Sequence, residues 1–474
     1  MDGSRGLVRM VWLHSRHLPV RAGRGWAMTQ NLDQRRKVAA TIATAVRDGA
    51  ICSRCWMIPE DCTCITATTS GDPLRDPAWW QQRDDLKAVY GYAQQQGASP
   101  AAVLNVAIMM TLARTPSSVN LPGIRGGRRG SLNLFGALVG KSGAGKGAAT
   151  DAAEDGIIFH GGSSYTVGQG GSGEGLIGKF GHLEVDKETK ERRVFRDADA
   201  VLLDIAEISG LGAQMGRSGS TLSDQLLKAF SGSRLGFGYA GANGFELDRF
   251  TYRLTMVAGV QPENSGVLLD QGGSGLPQRF IWAMASAPDA PDFDPRAVMP
   301  DPIHLHLPSW GVGEHVVTMD EEVLLEVGQN SRELARDSGL GLDGHAMFAR
   351  LKVAAALAFM RSAKHITRED WHLSAGVMTH SDIARAHCLE VTAAARSEQN
   401  RRRGRDRAET ADAEEAHRRE RVRRNLTGKW KADPTVSASM LIKSLPSRDR
   451  EVGRQVAEEL ANEYVAFPRL ASAA

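Results

Sequence analysis

Hydrophobic positions along this chain change period several times, and each change marks an element. Over residues 79–112 apolar side chains fall at helical spacing: Leu86, Val89, Tyr90 and Ala93, then Val103, Val106, Ala107 and Met110. Pro100, with Ser99 before it as a cap, opens the second set and predicts a second helix. The period then collapses. Leu132, Leu134, Phe135, Ala137, Leu138 and Val139 make a nearly unbroken apolar run, the pattern of a buried strand. Similar runs follow at residues 201–203 and 253–260. From residue 131 to about 285, strands alternate with glycine-rich loops, as in an α/β sheet whose working loops share one edge.

Beyond the sheet the pattern changes again. Residues 287–308 are rich in proline and aspartate and read as a connector, whereas 319–334 and 346–385 are strongly helical. Residues 396–424 are nearly all charged, and the tail suggests two short helices and a strand, the skeleton of a winged helix. Upstream, Val38, Ile42 and Val46 mark a short helix within 29–50. The expected organisation is a leader (1–28), a cysteine-bearing region (29–77), a helical subdomain (78–130), an α/β core (131–300), a helical lid (301–390), a charged helical linker (391–431) and a winged-helix-like tail (432–474). No internal repeat is visible.

Composition narrows this picture little. The 474 residues, 42% hydrophobic and 24% charged, are those of a soluble globular protein of several domains, and a net charge of +3 does not by itself call for nucleic acid. No apolar stretch reaches the roughly 18 residues that span a membrane; the best, 353–360, runs at once into Arg361 and Lys364. The first 27 residues carry five arginines and no apolar core with a cleavage site, so a secretory signal is not expected, and Met28 opens more ordinary sequence. With five cysteines, four of them clustered, the expected location is the cytoplasm.

The strand at 132–139 breaks into Gly140, Lys141, Ser142, Gly143, Ala144, Gly145, Lys146 and Gly147, then an alanine-rich helix start. Glycines let successive backbone N–H groups converge on one anion, and a helix N-terminus adds positive potential, so this is a candidate nucleotide cradle with Lys146 reaching the terminal phosphates. Gly147 stands where the usual pattern has the hydroxyl residue that touches Mg2+. The second strand ends in Asp204, with Glu207 three residues on; the first suits a metal and the second an attacking water, although such acids are usually adjacent. The third ends in Gln261, either a water-orienting group or a loop cap. Arg279 precedes a strand-like run; it either reaches a neighbouring subunit's γ-phosphate or lies salt-bridged at a strand edge. Arg350 and Lys352 open a helix, where they either serve a closing lid or face solvent.

Cys52, Cys55, Cys62 and Cys64 form C-x2-C-x6-C-x-C, a spacing that suits structural Zn2+; the alternative is four free thiols. His365, His372, His380 and His387 read as surface or core histidines, and Cys388 as core. Arg401, Arg402, Arg403, Arg405 and Arg407, continuing through Arg424 with interspersed acids, make either a solvated helix or an arm that grips phosphates. Arg448, Arg450 and Arg454 would lie on the recognition side of a winged helix.

The order of parts, with the segments SLNLFGALVGKSGAGKG, GSGEGLIGKF, STLSDQLLKAF and GVQPENSGVLLDQGGSGLPQRFIW, resembles AAA+-type P-loop ATPases, in particular helicase-like ATPases of plasmids, phages and mobile elements. The resemblance covers about residues 80–390. It implies an ATP- and Mg2+-dependent ring, hexameric, acting on single-stranded DNA as a replicative helicase or translocase. It makes Arg279 the trans arginine, Arg350 the lid arginine and Gln261 the sensor at the strand tip, and it puts a DNA-contacting hairpin at 235–252, near Arg234, Arg249 and Arg253. The alternative is a nucleotide-controlled DNA-binding assembly or regulatory factor with slow or no hydrolysis, which the missing hydroxyl and the separated acids favour.

Overall fold

The computed structural model describes residues 71–469, apart from 125–128, 186–187, 190, 237–244, 271–274, 295, 297 and 337–344. The candidate zinc ligands Cys52, Cys55, Cys62 and Cys64, and the leader, lie outside the described residues.

After a 3-10 turn (Pro73–Arg75) and a single helical turn (Pro77–Trp80), two longer helices form, as the spacing predicts. α1 (Asp84–Gln95) carries Asp84 and Asp85 in its first turn, where the helix dipole favours them. α2 (Pro100–Ala113) begins at Pro100, with the Ser99 hydroxyl accepting from Ala102 N. All of α2 from Ala101 to Ala113 is buried, which is why it is apolar on every side.

The chain then builds β1 (Leu134–Val139), α3 (Lys146–Gly156), β2 (Ile157–His160) and β3 (Thr166–Gly168). A hairpin of β4 (Gly181–Val185) and β5 (Arg192–Arg196) follows, then β6 (Ala200–Ile205), α4 (Ile208–Met215), α5 (Leu222–Phe230), β7 (Arg253–Val260), β8 (Phe280–Met284) and β9 (Ile303–His306). Five of these strands form one parallel sheet in the order β8-β1-β7-β6-β3. β1 and β7 are buried along their whole length, so both read as unbroken apolar runs rather than alternating ones. The fold is thus mixed α/β around a central parallel sheet. A short antiparallel ladder joins Leu235–Gly236 to Glu246–Leu247, within the stretch expected to form a hairpin.

The connector expected at 287–308 contains a strand: β9 pairs in parallel with β2, outside the main sheet. Three further helices follow: α6 (Glu321–Arg336), α7 (Ala346–Met360) and α8 (Arg368–Ala432). The helical region was expected to be a lid. Instead α7, from Leu351 to Met360, is buried in the same hydrophobic core as β1, β7 and α2. α8 finishes the sheet edge: Ser381 Oγ accepts from Trp282 N at 2.9 Å and His380 Nε2 from Met284 N at 3.1 Å. These bonds satisfy N–H groups that edge strand β8 would otherwise leave open.

α8 begins at a capping box of Thr367 and Asp370 and runs for 65 residues, about 97 Å at 1.5 Å per residue. No side chain of α8 is buried between Thr392 and Val422. Its last turns join α9 (Ala438–Lys443) and α10 (Arg450–Glu463) in a second, small core of Val422, Leu426, Leu441, Ile442, Val456 and Leu460. The two tail helices form as expected. The strand a winged helix needs does not form among the described residues, because residues 464–469 run on as turn and coil. Among the described residues, no helix is long and apolar enough to cross a membrane.

Candidate functional site

At the C-terminal ends of β1, β7 and β6 the chain brings several polar groups together. Gly140 N donates to Val260 O at 3.0 Å and Ala285 N to Val139 O at 2.8 Å, so the glycine loop leaves the sheet gripped between its two neighbours. Gly145, which caps α3, has φ +92°, and a Cβ there would stand 3.0 Å from Ala285 O, so both backbone and space demand glycine. The turn thereby delivers the N-terminus of an eleven-residue helix to the loop, with Lys146 as its first residue. Lys146 Nζ donates to Gly140 O at 2.7 Å and Lys141 O at 3.1 Å, and lies 4.0 Å from Glu207 Oε2.

Glu207 stands at the start of α4, just past β6. Gln261, at the tip of β7, holds it twice: Nε2 donates to Oε2 at 3.0 Å and the backbone N to Oε1 at 3.4 Å. Lys146, Glu207 and Gln261, expected from three separate motifs, therefore form one continuous cluster. Its close packing rests on Gly259. A Cβ there would meet Ala206 O at 2.2 Å, and the Lys146 stem lies across the same spot, with Cδ at 3.4 Å.

Asp204 lies on β6 three residues before Glu207, half-buried. Burial, then the charge of Asp151 on α3, push its carboxyl above the ordinary value; burial, then Asp204, Asp151 and Asp155, do the same to Glu154. A divalent cation beside Asp204 would relieve this crowding, and a carboxylate is an oxygen donor of the type Mg2+ takes. At Gly147 a Cβ would meet nothing within 4 Å, so the helix start is open on the side where a hydroxyl is usual. Among the described residues, no three His, Cys, Asp or Glu side chains already converge as a metal cage.

The two expected arginines lie elsewhere. Arg279 directly precedes β8, so it sits at the opposite end of the sheet from the loop, about 17 Å away along five residues of strand. It is 7% exposed, and its guanidinium donates to Gly275 O at 2.7 Å and contacts His345 Nε2 at 2.9 Å. Arg350 stacks on Trp371 at 3.7 Å and bonds Glu326 Oε1, Trp371 O and Ser374 Oγ, which fixes it among the helices.

Two buried cations were not legible as such. Arg253, expected beside the hairpin, is fully buried and donates to the carbonyls of Thr115, Pro116 and Val119. Lys352, expected with Arg350 on a helix face, is also fully buried; Nζ donates to Asn133 O at 2.6 Å and Phe230 O at 2.7 Å, 3.2 Å above the Phe230 ring. Burial, then Arg253 and Arg279, lower the Lys352 ammonium well below its usual range. Burial, then Arg279 and Lys352, push His345 down to about 4, so it is neutral at pH 7 and accepts from Arg279. The signal for these residues lay in carbonyls more than a hundred positions away.

The basic run divides. Arg401, Arg402 and Arg405 gather on Glu398 and remain solvent-facing with Arg403 and Arg407, whereas Arg418 and Arg421 bind buried Asp449, and Arg419 and Arg423 pair with Glu459 and Glu463. Arg450 caps α9, donating to Leu445 O and Lys443 O, and Arg454 pairs with Glu451. Cys388 is buried, and burial pushes its thiol up to about 11, as for a core residue. No protein-family model matches the chain, and no curated protein matches it.

Proposed function

We propose that this chain is an ATPase of the P-loop, AAA+-like type, acting in the cytoplasm as a ring-forming DNA helicase or translocase in the replication of a mobile element. The observation that carries the reading is the cluster of Lys146, Glu207 and Gln261 at the C-terminal edge of a parallel sheet, beside a glycine turn that starts a helix. In open α/β sheets ligands bind at that edge, where the chain switches direction of winding. Here β1 carries the loop between β7 and β8, so the loop stands at such a switch.

The loop N–H groups and the α3 N-terminus would hold the phosphates, with Lys146 neutralising their charge. Mg2+, when bound, would add charge neutralisation between phosphates and Asp204. Glu207 would polarise the attacking water, and Gln261 would fix the carboxylate's direction. Lys146 Nζ would leave the Gly140 and Lys141 carbonyls for the substrate. The solvent-facing arginines 401–407 would meet DNA phosphates. Zn2+ on Cys52, Cys55, Cys62 and Cys64 would be structural.

A second reading, a nucleotide-controlled assembly or regulatory factor, is favoured by one observation: Arg279 and Arg350 are both engaged inside their own chain. ATP hydrolysis by the full chain with Mg2+, with and without single-stranded DNA, separates the two. The motor reading expects hydrolysis that rises with DNA and is lost in Lys146→Ala and Glu207→Gln. ATP binding with negligible turnover in both conditions overturns it and leaves the second.

A further inference from the structure

The middle of α8 carries a charge pattern that the ATPase reading does not explain. Between Thr392 and Val422 the helix buries no side chain, so residues 393–421 form a span of about 43 Å whose faces no core covers. Two blocks of opposite sign share it. Residues 401–407 hold five arginines and Asp406, a net +4, and residues 409–415 hold Glu409, Asp412, Glu414 and Glu415 without a base, a net −4. Ala408 stands between the blocks, one residue from the middle of the span.

Few of these charges are satisfied within the chain. Glu398 serves Arg401, Arg402 and Arg405 together, one carboxylate against three guanidinium groups, and Glu415 has Arg418 at 3.6 Å. Among the described residues, Arg403, Arg407, Glu409, Asp412 and Glu414 have no ion-pair partner. The helical period puts part of both blocks on one face. Arg401, Arg405, Ala408, Asp412 and Glu415 follow at intervals of four, three, four and three, which is a single stripe along an α-helix, and all five are exposed. Turned end for end about Ala408, this stripe meets itself in opposite signs. Arg401 faces Glu415 of a second copy and Arg405 faces its Asp412, and the two-fold operation repeats both pairs. A parallel pairing in register would set arginine against arginine and acid against acid.

We propose that this face of α8 docks a second copy of the same chain, with the two helices antiparallel and their two-fold axis at Ala408. Helices packed about 8–10 Å apart are bridged by side chains as long as arginine and glutamate. Because the axis falls within one residue of the middle of 393–421, the uncovered spans of the two copies overlap almost completely. Exposed ion pairs are individually weak and are screened by salt, so the contact is labile and is lost at high ionic strength. Arginines held by a second copy are withheld from DNA phosphates, so this pairing and the DNA contact proposed for 401–407 exclude one another. The pairing does not rest on the nucleotide reading, and its two-fold symmetry separates it from the head-to-tail contacts that close a ring.

The test places a cysteine on the axis and another away from it, in the full-length chain. Ala408→Cys sets two thiols across the two-fold axis. Ser397→Cys lies on the same side of the helix but eleven residues from the axis, so its two copies would stand about 33 Å apart. After mild oxidation at about 10 mM salt, mapping by mass spectrometry separates disulfides at the new cysteine from any that involve native ones. A 408–408 disulfide that disappears at about 1 M salt is expected, with no 397–397 disulfide. Equal yields at the two positions, or none at 408, overturn the proposal. Charge exchange in the Ala408→Cys protein tests the cause. Arg401→Glu with Arg405→Glu sets acid against acid and should lower the 408–408 yield at least about tenfold, and adding Asp412→Arg with Glu415→Arg restores opposite signs and should restore the yield. Equal yields from these two proteins overturn it.

Discussion

Gly259→Ala is the sharpest probe of the proposed nucleotide site, because it adds one carbon at the seam that aligns Glu207 with Gln261. The new Cβ would stand 2.2 Å from Ala206 O. Carbon and oxygen come no closer than about 3.3 Å in ordinary contact, so the segment carrying Ala206 must retreat by roughly 1 Å. Glu207 is the next residue, and its 3.0 Å bond from Gln261 Nε2 would stretch to about 4 Å, beyond hydrogen-bonding range. A displacement of about 1 Å at a reacting group costs on the order of 100-fold in rate, or about 2.7 kcal/mol of barrier. The strain should cost about 1–3 kcal/mol of stability. In the proposed site phosphate binding would rest on the loop and Lys146, whose Cδ would lie 3.4 Å from the new carbon, an ordinary contact. Steady-state ATP hydrolysis should therefore fall about 100-fold while the ATP-induced rise in melting temperature persists. Gly147→Ala, whose added carbon meets nothing within 4 Å, is the matched control and should leave stability within about 0.5 kcal/mol of wild type. Turnover in Gly259→Ala within threefold of wild type would refute the reasoning, as would an ATP shift lost in proportion to rate.

Other outcomes follow from the same geometry. Lys146→Ala should abolish the ATP-induced melting shift yet change intrinsic stability by only about 1 kcal/mol, since the carboxylate it faces is 4.0 Å away and partly solvated; calorimetric melts with and without ATP check both halves. Arg279→Ala should lower stability by about 1–2 kcal/mol, because its removal leaves half-buried Gly275 O and His345 without its hydrogen bonds; an unchanged melt with lost turnover would instead support a role across a subunit boundary. His345 has its folded-state value depressed to about 4, so the unfolded chain binds the extra proton first. Stability should therefore fall as pH drops from about 6.5 toward 4, and His345→Gln should flatten that part of a melting-temperature profile. His380→Ala uncovers Met284 N on the edge of β8 and should cost about 1–3 kcal/mol in denaturant unfolding, with His380→Gln recovering part of it.

The elements that were legible are those whose signal is local. β1 and β7 could be read because strands buried on both faces are apolar without interruption, and the glycine turn because its backbone demands are met only by particular residues at fixed offsets. What was illegible is non-local. β9 hid in a proline-rich connector, since four residues alternating Ile-His-Leu-His gain strand character only from β2, some 145 positions earlier. The burial of Arg253 and Lys352 depends on carbonyls that end other elements, which no periodicity records. The strand expected after α10 does not form among the described residues, where 464–469 run on as turn and coil.

The buried cations also decide what the helical region can do. A lid must separate from the core at modest cost, yet α7 is driven into the core and ends its reach at Lys352, which donates to Asn133 O at the foot of β1 and to Phe230 O at the end of α5. Separating α7 would expose two unsatisfied carbonyls and an apolar helix side together, a far larger cost than a closing motion sustains. The foot of β7 is fastened in the same way, through Arg253 to residues 115–119. The loop-bearing strands are thus anchored by buried side chains at the end opposite the Lys146–Glu207–Gln261 cluster. Conformational change on ATP binding should accordingly be confined to Lys146, the 140–147 loop and the Glu207–Gln261 contact, with α7 immobile. Hydrogen exchange reads this directly: ATP should alter protection at 140–147 and 206–208 and leave 351–360 unchanged, and ATP-dependent exchange in α7 would restore the lid.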